Sequence, residues 1–202
     1  MSLPAKNSRR DFLKFGALAG VGLGLGALPS AEAAPDPKAL KLLNAQDISA
    51  TRPRPAGNKP VWDLQTKPLT KVRCAFIGLS RGMTHVNSAV NIDFAEVVAV
   101  CDLKPERAKR AFDHVKAKTG KEPAVYTDTE DAWEKMVTRD DIDVVYISTP
   151  WEWHVPMAVK AMECGKHAFI EVSAAVSVDE CWQLVDTSEK TQRHCAIIEN
   201  CC

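Results

Sequence analysis

Residues 72–102 read VRCAFIGLSRGMTHVNSAVNIDFAEVVAVCD. The stretch holds two short apolar runs, and each is followed by residues that chemistry can use. The first run, VRCAFI, breaks at Gly78, and the second, EVVAVC, ends on the carboxylate of Asp102. Near-continuous apolar runs of this length read as strands buried on both faces. The polar turn between them leads into a helix, so the unit is strand, helix, strand.

The same alternation continues. PERAKRAFDHVKAKTG (105–120) predicts a helix opened by proline and stopped by Gly120. AVYT (124–127) is a short strand, and TEDAWEKMV (129–137) is a helix opened by Thr129 with acids in its first turn. IDVVYIST (142–149) is a strong strand, and PMAVKAMECG (156–165) is a helix ended by Gly165. HAFIEV (167–172) is a further strand. SVDECWQLVDTSEK (177–190) opens with the capping box Ser177/Glu180, and HCAIIEN (194–200) is a last strand. Strictly alternating elements predict an α/β domain with a doubly wound parallel sheet of the Rossmann type. In such sheets ligands lie beyond the carboxyl ends of the strands. The residues that follow each strand are therefore the candidates.

After the first strand comes GLSRGMTH (78–85). A dinucleotide turn uses glycine so that backbone N–H groups approach a pyrophosphate. Gly78 and Gly82 are one residue closer than in G-x-G-x-x-G, and the middle glycine is absent. A plain strand-to-helix turn has the same residues. Asp102 strengthens the cofactor reading, because it ends the second strand about 20 residues after Gly82, where a carboxylate accepts both ribose hydroxyls of an adenosine. It would repel a 2′-phosphate, so it favours NAD over NADP. A helix cap before LKPERAK is the plainer role for the same aspartate. The loop STPWEWH (148–154) sets two tryptophans and a histidine at the carboxyl edge. Their flat faces suit a nicotinamide ring or a sugar, and His154 can donate a hydrogen bond or shuttle a proton. Packing the loop onto the sheet and capping the next helix is the structural alternative.

Upstream of Lys71 the chain changes character. SRRDFLK (8–14) is a twin-arginine pattern, followed by the apolar FGALAGVGLGLGAL (15–28) and AEA (31–33). A basic start, a short apolar run and a small-x-small site describe an export signal over residues 1–33, cleaved after Ala33. The run is glycine-rich and shorter than the roughly 20 residues of a spanning helix, so a membrane anchor is not expected. Residues 34–69 carry Pro35, Pro37, Pro53, Pro55, Pro60 and Pro68 without periodicity and read as an extended arm. Residues 70–202 form the expected nucleotide-binding domain.

With 26 basic and 26 acidic side chains in 202 residues, the charge balances. That leaves no electrostatic footprint for nucleic acid or an anionic membrane. Seven cysteines at irregular spacing do not form a disulfide framework or a metal cluster. Cys74 and Cys101 sit in strand-like runs as small hydrophobes. No metal site is expected.

The motifs carry a resemblance. VVYISTPWEWHVPMAVKAMECGKHAFIEV (144–172) resembles the stretch shared by the glucose-fructose oxidoreductase and inositol dehydrogenase superfamily. WEWH (151–154), DECWQLVDTSEKTQRHC (179–195) and ENCC (199–202), with the twin-arginine signal, resemble glycoside hydrolase family 109, the NAD-dependent α-N-acetylgalactosaminidases. The resemblance covers the signal and essentially all of 71–202. It implies NAD contacts from Ser80, Arg81, Asp102, Trp151, Glu152, Trp153, His154, Glu171, Val172 and Asn200; His154, read from its place on the loop, is also the candidate catalytic residue. Glu171 would accept from the nicotinamide ribose. The turn is shorter than the superfamily's G-x-G-x-R-G.

In the dehydrogenases a lysine follows the glutamate at the position of Val172 and serves as base. Valine neither takes nor gives a proton. The resemblance to family 109 implies another use of NAD: oxidation at sugar C3, elimination of the aglycone, addition of water, and re-reduction. The implied partner is a small-molecule glycoside, and a homo-oligomer is compatible with it. A sugar or polyol oxidoreductase and a non-catalytic nucleotide-binding fragment are the alternatives. The chain stops at Cys202, ahead of the substrate domain expected from the resemblance, so it is expected to be the cofactor half of a longer protein.

Overall fold

The computed structural model describes residues 52–127 and 129–199. The signal, residues 34–51 of the expected arm, and Asn200 to Cys202 lie outside the described residues. Six strands form one parallel sheet: β1 Val72–Ile77, β2 Ala95–Cys101, β3 Ala124–Tyr126, β4 Val144–Ile147, β5 His167–Glu171 and β6 Cys195–Ile198. Their spatial order is β3-β2-β1-β4-β5-β6. The order reverses between β1 and β4, whose register pairs Cys74 with Val144 and Ile77 with Ile147. The reversal opens a crevice beyond the strand ends.

Helices cover both faces. On one face lie α1 Met83–Ala89 and α2 Pro105–Thr119, packed on Cys74, Phe76, Val97, Val100 and Val144. On the other lie α3 Ala132–Val137, α4 His154–Glu163 and α5 Val178–Thr191, packed on Ala75, Ile77, Val145, Ile147 and Ile170. Successive residues of β1 thus alternate between two cores, as the two-residue period of a strand requires. Phe76, Ile147, Met162, Ile170 and Val100 are all under 2% exposed. Burying each such side chain contributes about 1.5–3 kcal/mol.

The element ends follow their local chemistry. Pro105 stands at the start of α2, and Gly120 closes it with φ 71°, a conformation open to glycine. At α5 the Ser177 hydroxyl accepts from the Glu180 N–H at 3.2 Å, and the Glu180 carboxylate accepts from the Ser177 N–H at 3.2 Å. Two expected starts differ. α3 begins at Ala132, with Asp131 rather than Thr129 as its first flanking residue. The Thr129 side chain instead hydrogen-bonds the Asp131 carboxyl and so helps to hold it below the usual range. α4 begins at His154, ahead of Pro156, because proline is tolerated in a first turn whose N–H groups lack intrahelical partners.

Residues 54–69 form neither helix nor strand. The first of them lie on α5: Arg54 donates to Glu189 at 2.7 Å, and Asn58 donates to the Asp186 carbonyl at 3.0 Å. The Lys59 carbonyl accepts from Gln192 at 2.9 Å.

Candidate functional site

The crevice at the strand-order reversal is a cleft of ≈ 420 Å³. The β1–α1 turn supplies Gly78, Ser80 and Arg81, the end of β2 supplies Asp102, and the β4 loop supplies Ser148, Thr149, Pro150 and Trp153. The turn is held from three sides. The Leu79 N–H donates to Asp102 Oδ2 at 2.6 Å, Arg110 donates to the Leu79 carbonyl at 2.9 Å, and the Gly78 N–H donates to the Cys101 carbonyl at 2.9 Å. Glycine is required at two points of this turn. Gly78 has φ 82°, and a Cβ there would lie 2.5 Å from the Ser148 carbonyl oxygen. A Cβ on Gly82 would strike the Gly78 carbonyl oxygen. The turn is thereby pressed against the β4 loop with its backbone at the cleft.

Asp102 is 7% exposed. Its Oδ1 accepts from the Lys104 N–H at 2.9 Å, and Arg107 Nη1 stands 4.0 Å from Oδ2. The bond to the Lys104 N–H, on the residue before α2, and the turn bond therefore coexist in one carboxylate, which does not cap the helix. Each oxygen keeps a second acceptor position, so the group has capacity for ribose hydroxyls. Beside it, burial and the Asp102 charge push the Cys101 thiol up to about 12, which keeps it an inert hydrophobe.

The cleft fits a nucleotide by an independent observation. The Ser148 hydroxyl is buried at its lining and has no hydrogen-bond partner among the described residues. A buried hydroxyl without a partner is costly, and a bound polar group at the cleft floor supplies one. Apolar Ile77, Leu103, Trp133 and Met157 complete walls suited to a flat ring.

The residues expected from sequence divide into groups. Ser80, Arg81, Asp102 and Trp153 line the cleft together. Trp151, 60% exposed, and Glu152, also exposed, stand outside the lining. Glu171 ends β5 beside the cleft, 3.5 Å from Arg81, and Val172 follows it half-exposed. His154 is buried at the start of α4. It is 1% exposed, and its Nδ1 and Nε2 lie 2.7 and 2.8 Å from the carbonyls of Ser173 and Thr149. A ring enclosed between two backbone carbonyls ties the β4 loop to the segment after β5. Asn200 lies outside the described residues. Sequence reasoning missed Ser148, Lys104, Arg107 and His85. The first three follow strand ends, which was the available signal. His85 is partnered 86 residues away, and no local pattern announces that.

Comparison with known proteins now becomes decisive. The family described as oxidoreductase family, NAD-binding Rossmann fold, matches residues 72–198. The chain belongs to that family. A twin-arginine translocation signal matches residues 6–26, so this NAD-binding Rossmann domain is preceded by a twin-arginine export signal. A glycosyl hydrolase family 109 protein of Shewanella pealeana is 41% identical, over 96% of this chain and 40% of its own length. An alpha-N-acetylgalactosaminidase of Shewanella oneidensis is 44% identical, over 78% of this chain and 34% of its own length. The chain thus spans well under half the length of these curated relatives. Scyllo-inositol dehydrogenase of Lactobacillus casei, solved with NAD(H) and scyllo-inositol, superposes with a TM-score of 0.55 at 19% identity. That match covers 63% of this chain and 36% of the dehydrogenase, and it shows the common fold. Among the described residues no helix is long and apolar enough to cross a membrane.

Proposed function

We propose that this Rossmann domain is the cofactor-binding part of an exported, NAD-dependent glycosidase that releases terminal α-N-acetylgalactosamine. Three things support the reading: the cleft built from the glycine turn, Asp102 and Ser148; the names of the family 109 relatives; and the side chain after Glu171. The last carries it. Val172 is 38% exposed directly after the end of β5, outside the cleft lining, and offers no proton-transfer group where a dehydrogenase of this superfamily carries a lysine. Oxidation at a sugar hydroxyl still releases a proton, so in this reading a group other than residue 172 takes it and returns it on re-reduction, which sets the chain apart from the lysine-bearing dehydrogenases.

The chain's own residues have defined tasks in this reading. The backbone of 78–82 and Ser148 hold the diphosphate side of the cofactor, Asp102 receives the adenosine ribose, and Glu171 receives the nicotinamide ribose. Trp153 and Met157 exclude water from the cleft wall. His154 keeps the β4 loop and the segment after β5 in register, which positions both halves of the site. Bound NAD supplies reversible hydride exchange at sugar C3, which acidifies the C2 proton and allows the aglycone to leave by elimination before water adds.

The test uses the gene product that carries this domain and a p-nitrophenyl α-N-acetylgalactosaminide. Nitrophenol release without lasting absorbance of NADH is the expected result. NADH accumulating in proportion to substrate would replace the reading with a sugar or polyol dehydrogenase.

A further inference from the structure

Glu171 occupies an unusual position for a carboxylate. It is the last residue of β5 and is 7% exposed, with Ile170 beside it paired to Ile147 of β4. A buried carboxylate needs donors. Two side chains answer that need. His85 Nε2 lies 2.6 Å from Glu171 Oε1, and Arg81 Nε lies 3.5 Å from Oε2.

The two partners are not equivalent. The His85 side chain is 19% exposed, and its ring is stacked at 6.1 Å on Tyr146. Tyr146 is itself stacked on Phe76 at 4.8 Å and meets Phe169 edge-on at 5.3 Å. These rings come from three adjacent strands, so the imidazole rests on a rigid platform. Arg81 is the opposite case. Its side chain is 70% exposed, its contact with Glu171 is long, and it also lines the cleft. One oxygen of Glu171 is therefore held by a fixed donor, and the other faces a partner free to exchange.

We propose that His85 is a positioning residue, which fixes Glu171 through Oε1 so that Oε2 is presented as an acceptor to a ribose hydroxyl of the bound nucleotide, Arg81 being the partner displaced. The inference rests on the NAD-binding reading of the cleft. His85 does not touch the cofactor in this account. It acts through Glu171, and the Tyr146 platform sets the direction from which it does so.

The experiment is calorimetric titration of NAD into the 202-residue chain, with melting temperatures measured alongside. His85→Leu removes the donor and is expected to weaken NAD binding about tenfold, the scale of a lost charge-assisted hydrogen bond. His85→Gln keeps an N–H donor of similar reach and restores most of the affinity. His85→Asn, whose amide stops short of the carboxylate, binds like His85→Leu and serves if the leucine variant does not fold. In a Glu171→Gln background, His85→Leu causes no further loss, since the two residues act as one unit. Equal affinity in the parent chain, His85→Leu and His85→Asn overturns the proposal while leaving the cofactor reading intact. Additive losses in the double variant, or failure of His85→Gln to recover binding, also overturn it. If the parent chain takes up no NAD, the cofactor reading falls first and the proposal with it.

Discussion

At the scale of single residues, the cleft separates groups that hold the fold from groups kept for a ligand. Asp102 does both, since it accepts from Leu79 and Lys104 while facing the cleft. Asp102→Ala is expected to weaken NAD binding by about 1–3 kcal/mol and to lower the melting temperature as well. Asp102→Asn does not rescue it, because its amide nitrogen would confront one of two N–H donors. Ser148 is the contrasting case. Its hydroxyl has no partner among the described residues, so Ser148→Ala should leave the melting temperature unchanged or slightly raised while weakening NAD binding in calorimetry. A clear loss of stability with affinity unchanged would show that the hydroxyl serves the fold alone. Asp102 was legible in sequence because it ends a strand about 20 residues after the turn. For Ser148 the strand end marked the position, but a lone serine carries no sign of a ligand role until its unpartnered hydroxyl is seen. His154 was legible as a functional type, whereas the two carbonyls that enclose its ring are revealed only by the fold.

At the scale of elements, the parallel sheet followed from alternation alone, and of the two helix starts that departed from expectation one turned on a proline within a first turn and the other on two competing polar residues. Thr129 and Asp131 both suit a helix start, and the chain chose the one adjacent to the buried Ala132 and Trp133. The α5 capping box was readable, because Ser177 and Glu180 stand at a fixed spacing before an apolar face. Ser177→Ala is expected to cost about 1 kcal/mol in denaturant unfolding, with the NAD cleft unaffected. The start of β5 carries a pH-sensitive contact. His167 Nδ1 accepts the His194 N–H at 2.9 Å, and the two rings stack at 5.1 Å. Burial chiefly, then His194 and Arg193, hold His167 below its ordinary value of 6.5, and Asp143 opposes them weakly. A folded value below the unfolded one means that the unfolded chain binds the proton more readily. This contribution to stability is therefore present above the ordinary value of 6.5 and lost as pH falls below it. The melting temperature should decline from about pH 7 to about pH 5, and His167→Asn, whose amide oxygen also accepts but does not titrate, should decline less.

At the scale of the whole molecule, export and redox chemistry constrain each other. A twin-arginine signal precedes an NAD-binding domain, so the protein works where no cytoplasmic pool reoxidises a released NADH. A cycle that returns its hydride to the substrate on a retained cofactor has no need of that pool, and in the proposed reading folding around NAD before export would provide the retention. The consequence can be read at a single carbon. If the aglycone of an N-acetylgalactosaminide leaves by elimination, the C2 proton is removed and later replaced from solvent. In heavy water, mass spectrometry of the sugar released by the gene product carrying this domain should show one deuterium at C2. Direct displacement at C1 leaves C2 untouched, so a product without deuterium would remove the elimination step and with it the task assigned to NAD. Val172→Lys provides the complementary measurement at the half-exposed position after Glu171. Lysine there restores a base suited to a hydroxyl proton, whereas the rate of elimination depends on a base at C2. The variant is expected to hydrolyse no faster than the parent and to leave the C2 label unchanged. A marked gain in hydrolysis would mean that deprotonation of the C3 hydroxyl limits the cycle and that Val172 is a restraint on it.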